Sequence, residues 1–366
     1  MPETIRRTAL FDAHRALGAK LVPFGGFEMP VSYASILREH DAVRHRAGLF
    51  DLSHMAQFAL RGPDVGAWAE GLTVNAVATM KPGQARYNIF TNERGGAHDD
   101  VIFYRLDAER WLLVVNAANA AKMWDVVSAA AVPGVALANE HGDRALIAIQ
   151  GPRSVEMLSR FTAVDLAAMK YYSCVEARVR GVDAVIARTG YTGEDGFEIF
   201  CTAADATDVW DALLSENRAA GLEPAGLGAR DVLRLEAGMP LYGHELTEDI
   251  TPLQAGLGWA VKLAKPAFVG KAALEAQAAA GTYSRIAGLV LDGKVPARSG
   301  YSVFSGGGRV GEVRSGSTAP SVGNKNVATA LVEVAAAATG TRLEVEIRGA
   351  RHPATVVPLP FYKRSK

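Results

Sequence analysis

Cysteine is scarce: Cys174 and Cys201 are the only two in 366 residues. They form no Cys-x-x-Cys pair and no metal-ligand spacing, so a disulfide framework is excluded and a reducing compartment is expected. An excess of charge is also missing. Lys plus Arg is 39 and Asp plus Glu is 39, leaving no bulk basic surplus of the kind that tracks nucleic acid. No run approaches the roughly 18 apolar residues of a membrane span. No apolar signal core follows the first residues, and a cytoplasmic protein is expected. The familiar chemistry words are absent too: no P-loop, no His-Glu-x-x-His, no Gly-x-Ser-x-Gly. Gly190-x-x-Gly193-x-x-Gly196 leads into a strand rather than a helix, so it lacks the helix N-terminus of a dinucleotide fingerprint. His40 and His45 lie five apart and face different sides of a helix, against a shared metal. Asp51-Leu-Ser-His-Met55 holds the residue types of a hydrolytic triad, but triad geometry is spatial rather than sequential. A polar turn leading into a strand at 57–60 is the expectation there.

What is present is ordinary globular composition, 49% hydrophobic and 21% charged, at a length that implies two or three domains. The spacing predicts an amphipathic helix over 4–22 with Thr8 as a possible cap, then a packed loop over Pro23–Pro30. A helix follows from Ile36 to Ala47. Strands, a helix with Asn119 at its cap, a strand at Ala145–Gln150 and a helix to Phe161 give an α+β pattern of the split βαβ kind. A hairpin around 181–183, a strand, a helix capped by Asp205 and a helix over Gly228–Glu236 repeat that pattern loosely. Past about 280, short strands separated by glycine turns predict a small all-β domain. The expected divisions are 1–140, 141–280 and 281–366.

Two settings could carry chemistry. After the glycine turn, Phe197, Ile199 and Cys201 alternate with Glu198 and Phe200, a period of two. Glu198 thus leaves a strand on the side away from Phe197 and Ile199. An ionised carboxylate offers two acceptor oxygens, suited to a flat ligand with adjacent N–H donors. The competing reading is a solvated glutamate on an edge strand. The second setting is Asp99-Asp100, entering a strand after Gly95-Gly96. Neighbouring strand residues face opposite ways, so one of the pair can turn inward, where it needs a partner. Arg230 and Arg234 lie one turn apart on one helix face.

Seven stretches, in order along the whole chain, together resemble the aminomethyltransferase (T-protein) family of the glycine cleavage system. They are Pro23–Pro30, Gly48–Met55, Gly95–Val101, Val115–Asn119, Arg188–Glu198, Gly226–Glu236 and Gly311–Ser317. The resemblance implies an α+β cloverleaf of three domains around a central folate channel: two ferredoxin-like split βαβ units and a C-terminal β-barrel. It implies transfer of an aminomethyl group from the lipoyl arm of H protein to tetrahydrofolate, without a metal or pyridoxal phosphate, by a protein expected to be a monomer. Asp100 matches the family's catalytic aspartate and Glu198 its pterin-binding glutamate. Arg230 matches a folate-binding arginine, and Tyr87, Met55, Tyr104, Asn116 and Val101 match ligand-contacting positions. Tyr191 lies in the matching glycine turn, and Tyr171, or its neighbour Tyr172, lines the channel. A further folate contact falls near Phe361–Lys363. Ala97 stands where the family has a larger apolar residue, which implies a looser turn before Asp100. Other folate-linked enzymes share the fold, including dimethylsulfoniopropionate demethylases, and fold alone does not fix the donor.

Overall fold

A computed structural model describes residues 5–364. The chain divides into two compact units. Residues 1–69, 77–87 and 101–231 form one, and residues 70–76, 88–100 and 232–366 the other.

The N-terminal segment carries α1 (Phe11–Ala16), a hairpin of β1 (Lys20–Phe24) and β2 (Phe27–Ser32), α2 (Ile36–His45) and β3 (Ala47–Asp51). The helix expected over 4–22 is thus only six residues long, and residue 4 lies outside the described residues. Gly18, at φ +73°, ends it, and the chain turns into a strand. Thr8 caps nothing; its hydroxyl donates to Asp51 instead. The Pro23–Pro30 stretch is not a loop. Gly25 and Gly26 both take positive φ and close a two-residue hairpin that pairs Phe24 with Phe27.

Next come β4 (Ala56–Arg61), α3 (Val65–Leu72), β5 (Gln84–Thr91), β6 (Ala97–Arg105), β7 (Arg110–Val115), α4 (Ala120–Ala129) and β8 (Ala136–Asn139). Their sheet has the order β5-β6-β7-β4-β8, a split βαβ with β5 as an added edge. The boundary between the two units falls within β5 and β6. The second repeat is β9 (Arg144–Gln150), α5 (Ser154–Leu158), β10 (Cys174–Val179), β11 (Val182–Ala187), β12 (Gly196–Thr202), α6 (Ala206–Asn217) and β13 (Leu222–Pro224). Its sheet, β10-β11-β12-β9-β3-β13, accepts β3 from the N-terminal segment. All five residues of β3 are buried, so it has no alternating pattern to mark it as a strand. Leu49, Ile147, Ile149, Phe197, Ile199, Trp210 and Leu213 form the core beneath this sheet. Asn119 and Asp205 stand at helix starts, but neither side chain makes a capping bond. Asp205 instead accepts from the Thr202 hydroxyl, 2.6 Å away.

The helix α7 (Leu227–Glu236) precedes α8 (Lys271–Ala280), and the last six strands close a barrel. They are β14 (Arg285–Leu291), β15 (Ser302–Ser305), β16 (Gly308–Ala319), β17 (Lys325–Val332), β18 (Arg342–Ile347) and β19 (Ala350–Val357). Among the described residues, no helix is long and apolar enough to cross a membrane.

In the second unit, Arg234 at the end of α7 is buried against Glu245 at 3.1 Å and donates to the Ser315 hydroxyl of β16 at 2.9 Å. Burial alone would raise the Glu245 carboxyl. The Arg234 charge and the Thr329 and Ser315 hydroxyls outweigh burial and hold the carboxyl below its ordinary value. The bonds tie the helix end to the barrel wall. A carboxyl depressed by folding stabilises the protein above its unfolded-state pKa and loses that contribution as pH falls through the folded value. Glu245→Gln removes the charge that faces a buried guanidinium. A loss of about 3–5 kcal/mol is expected in urea unfolding, with a smaller loss of stability on acidification than in the parent.

Candidate functional site

Three glycines at every third position open β12, and two answer to one side chain. A Cβ on Gly190 would meet Gln150 Oε1 at 2.0 Å, and one on Gly196 would meet Gln150 Nε2 at 2.4 Å. Gln150, at the end of β9, donates to the Thr189 carbonyl at 3.0 Å and accepts from the Thr192 hydroxyl at 2.9 Å. Gly193 supplies a positive φ of 82°. The turn is therefore a close wrap around one amide side chain.

Glu198 follows on β12, which lies between β11 and β9 rather than at an edge. Opposite it stand Ala148 and Ala187, small residues that leave room beside the carboxylate. Glu198 is only 7% exposed, which removes the reading of a solvated edge residue. Its Oε2 accepts from Tyr104 Oη at 2.9 Å and from the Thr189 hydroxyl. Its Oε1 takes no hydrogen bond from any described residue. Burial raises the Glu198 carboxyl above its ordinary value; the two hydroxyls and the Arg230 charge pull it partly back. Tyr104 is fully buried, its ring edge-on to Phe200 at 5.1 Å. Burial, with the Glu198 charge second, pushes its phenol well above the usual value, so it stays a donor.

Arg230, half-buried on α7, places its guanidinium 4.3 Å from the Tyr191 ring centroid. Phe50, Gln150, Tyr191, Thr192, Glu198 and Arg230 line a recess of about 10 Å³, room for roughly one water. Of the residues singled out from the sequence, Glu198, Tyr104, Tyr191 and Arg230 thus come together. Met55 is half-buried in the turn between β3 and β4, Tyr87 half-buried on β5, Asn116 half-buried at the end of β7, and Val101 buried on β6. None of these four bonds to Glu198. Tyr171 is 47% exposed and meets Tyr172 edge-on at 4.8 Å. Tyr172 is the member of that pair whose phenol acts electrostatically on Tyr104.

Asp100 belongs to the second unit. Burial alternates along β6: Asp99 and Val101 are buried, while His98, Asp100 and Ile102 are half-buried. The inward member of the pair is Asp99, and Asp100 keeps access to solvent or ligand. Ala97, at the end of the turn before it, is held through its backbone. That residue's N–H donates to the Thr247 carbonyl at 2.8 Å, and its carbonyl accepts from Tyr242 at 3.1 Å. A Cβ on Gly96 would strike the Glu248 carbonyl at 1.8 Å.

Sequence reasoning missed three residues. Thr189 donates to Glu198, two positions before Tyr191 in the same word. Gln150 ends β9, whose five preceding residues are all apolar, and that position was its only signal. His54, 1% exposed, has an Nδ1 with no hydrogen bond to any described residue. Burial, then the Arg230 charge, pushes its pKa down to about 3, so it is neutral at physiological pH. Among the described residues no cluster of His, Cys, Asp and Glu is arranged to hold a metal ion.

The family model described as the GCVT N-terminal domain matches residues 10–265, and that of the glycine cleavage T-protein C-terminal barrel domain matches residues 285–363. The chain is 48% identical over 364 residues to an aminomethyltransferase of Deinococcus deserti, covering 99% of this chain and 98% of that protein. It is 45% identical over 363 residues to an aminomethyltransferase of Desulforamulus reducens, covering 99% of each. A solved structure of the glycine cleavage system aminomethyltransferase T of Bartonella henselae superposes with a TM-score of 0.92 at 35% identity, covering 98% of this chain and 99% of that one.

Tyr104→Phe removes one of two donors to a buried carboxylate. It is expected to cost about 1.5–3 kcal/mol in denaturant unfolding and to raise the Glu198 carboxyl further in a carbon-13 titration. An unmoved carboxyl would mean the phenol does not hold it.

Proposed function

Because the chain belongs to the glycine cleavage T-protein family, we infer that it is an aminomethyltransferase of the glycine cleavage system with tetrahydrofolate as acceptor. The observation that carries the acceptor reading is Glu198, a buried carboxylate with one oxygen committed to Tyr104 and Thr189 and the other uncommitted. The pterin ring offers an amino group and a ring N–H side by side, and an ionised carboxylate is their complement. Tyr191 and Arg230 supply an aromatic face and a fixed cation beside it. Met55, Tyr87, Val101, Asn116 and Tyr171 are proposed as further contacts along the folate.

The donor in this reading is the aminomethyl group on the lipoyl arm of H protein. The carbon loses its bonds to sulfur and to the departing amine and gains bonds to N5 and N10 of the folate. Two folate N–H protons leave, one to the ammonia and one to the dihydrolipoyl thiol. Asp100 is the proposed catalytic residue: it orients the attacking N–H, accepts its proton, and opposes the iminium-like charge that develops on the carbon. The reaction is assigned to the cytoplasm, which suits two free, buried thiols.

The test is to supply tetrahydrofolate and aminomethylated H protein and follow ammonia and 5,10-methylenetetrahydrofolate together. Both should appear, whereas dimethylsulfoniopropionate offered as donor should give no methyltetrahydrofolate. Asp100→Asn should keep tetrahydrofolate affinity within a few-fold and nearly abolish turnover; normal turnover would remove Asp100 from the chemistry. Glu198→Ala should weaken tetrahydrofolate at least tenfold, on the order of 1.4 kcal/mol, and unchanged binding would remove it from the pterin site.

A further inference from the structure

Helix α2 buries two opposite charges, neither of which bonds to Glu198. Glu39 is fully buried and Arg44 is 7% exposed. Lying five positions apart, they leave the helix in different directions, and each ends on a segment that carries a site residue.

Arg44 donates from Nη1 to the Thr192 carbonyl at 2.7 Å and to Glu194 Oε1 at 2.8 Å. The two side chains of this pair are 3% and 4% exposed. Thr192 and Glu194 flank Gly193, and Thr192 directly follows Tyr191. Glu39 holds the other segment. Its Oε1 accepts from the Tyr33 and Ala34 N–H groups at 2.7 and 3.0 Å, and its Oε2 from the Gly226 N–H at 2.9 Å. The Gly226 carbonyl in turn accepts from the Arg230 N–H at 3.1 Å. The start of α7 is pressed close: a Cβ on Gly228 would meet Ile36 Cδ1 of α2 at 2.6 Å. One helix thus fixes the turn bearing Tyr191 and the helix turn bearing Arg230, the two partners of the 4.3 Å ring-to-guanidinium contact.

We propose that Arg44 and Glu39 are positioning residues, which set the Tyr191–Arg230 pair against Glu198 without touching the ligand. A buried charge without its partner is costly, so each is confined to one geometry, and that rigidity is passed to the binding face. The proposal rests on the folate reading of Tyr191, Arg230 and Glu198.

The experiment is a tetrahydrofolate titration, followed by intrinsic tryptophan fluorescence, of Tyr191→Ala, Arg44→Met and the double variant, with melting temperatures recorded. Leu213→Ala, a core truncation in the same unit, serves as the control for lost stability alone. Tyr191→Ala should weaken binding at least tenfold. Arg44→Met should weaken it by about tenfold, and the double variant should bind no more weakly than Tyr191→Ala, because Arg44 acts through that turn. Leu213→Ala should melt earlier with unchanged affinity. If Arg44→Met does not fold, Glu194→Gln carries the same expectations. An Arg44→Met that melts earlier but binds normally, or whose effect multiplies with that of Tyr191→Ala, overturns the positioning role. Normal binding by Tyr191→Ala overturns the folate reading, and the proposal with it.

Discussion

A carboxylate buried on an interior strand is costly unless something nearby repays its lost hydration. In this protein Glu198 meets that condition by halves. Tyr104 and Thr189 converge on Oε2, and Arg230 contributes charge from α7. Burial still prevails, so the carboxyl sits above its ordinary value, and Oε1 accepts from none of the described residues. In the proposed reading the pterin of a reduced folate supplies further stabilisation, because it brings two N–H donors. The rest of the first unit can be understood as the apparatus that keeps this half-satisfied group in place.

That apparatus has distinct layers. Alanines on both neighbouring strands leave space at the carboxylate's level. Gln150 bonds to the preceding turn, and a side chain at Gly190 or Gly196 would displace its amide. Strand β3, inserted beside β9 from far upstream, brings Phe50 and Leu52 to the recess behind Glu198. It also ends at Asp51, whose carboxylate gathers Thr8, His14 and the Ser53 N–H. The segment from Ser53 to Met55 is therefore anchored at its start, and His54 is held neutral next to the arginine. The second unit solves a separate problem, joining the end of α7 to a barrel through the buried Arg234–Glu245 pair.

The sequence disclosed the parts of this arrangement that are local. Period-two alternation put Glu198 opposite Phe197 and Ile199, and both of those are in the core. Glycine turns and short strands announced the barrel, and the family words carried the fold and activity. What local pattern could not disclose was which strands become neighbours. β12 looked equally suited to an edge, and only its pairing with β9 and β11 makes it interior. β3 was invisible because burial on both faces erases alternation. The hairpin at 20–32 was obscured because helical spacing runs on to residue 22 and the glycine-, proline- and aromatic-rich stretch after it suits a loop, until Gly18 and the Gly25-Gly26 turn are given their backbone angles. Thr189 and Gln150 escaped notice because a hydroxyl or an amide declares its role only through the partner that folding brings to it.

The claim at the centre of this account is that the ligand Glu198 anchors favours its ionised form. A carbon-13 titration of the Glu198 side-chain carboxyl, with and without saturating tetrahydrofolate, addresses it directly. In the free protein the midpoint should lie above the ordinary carboxylate value of about 4.3. Bound tetrahydrofolate should lower it, because donors to the charged form favour that form, and by linkage affinity should fall as pH drops through the free midpoint. A Glu198 midpoint that does not move when tetrahydrofolate binds would contradict the account.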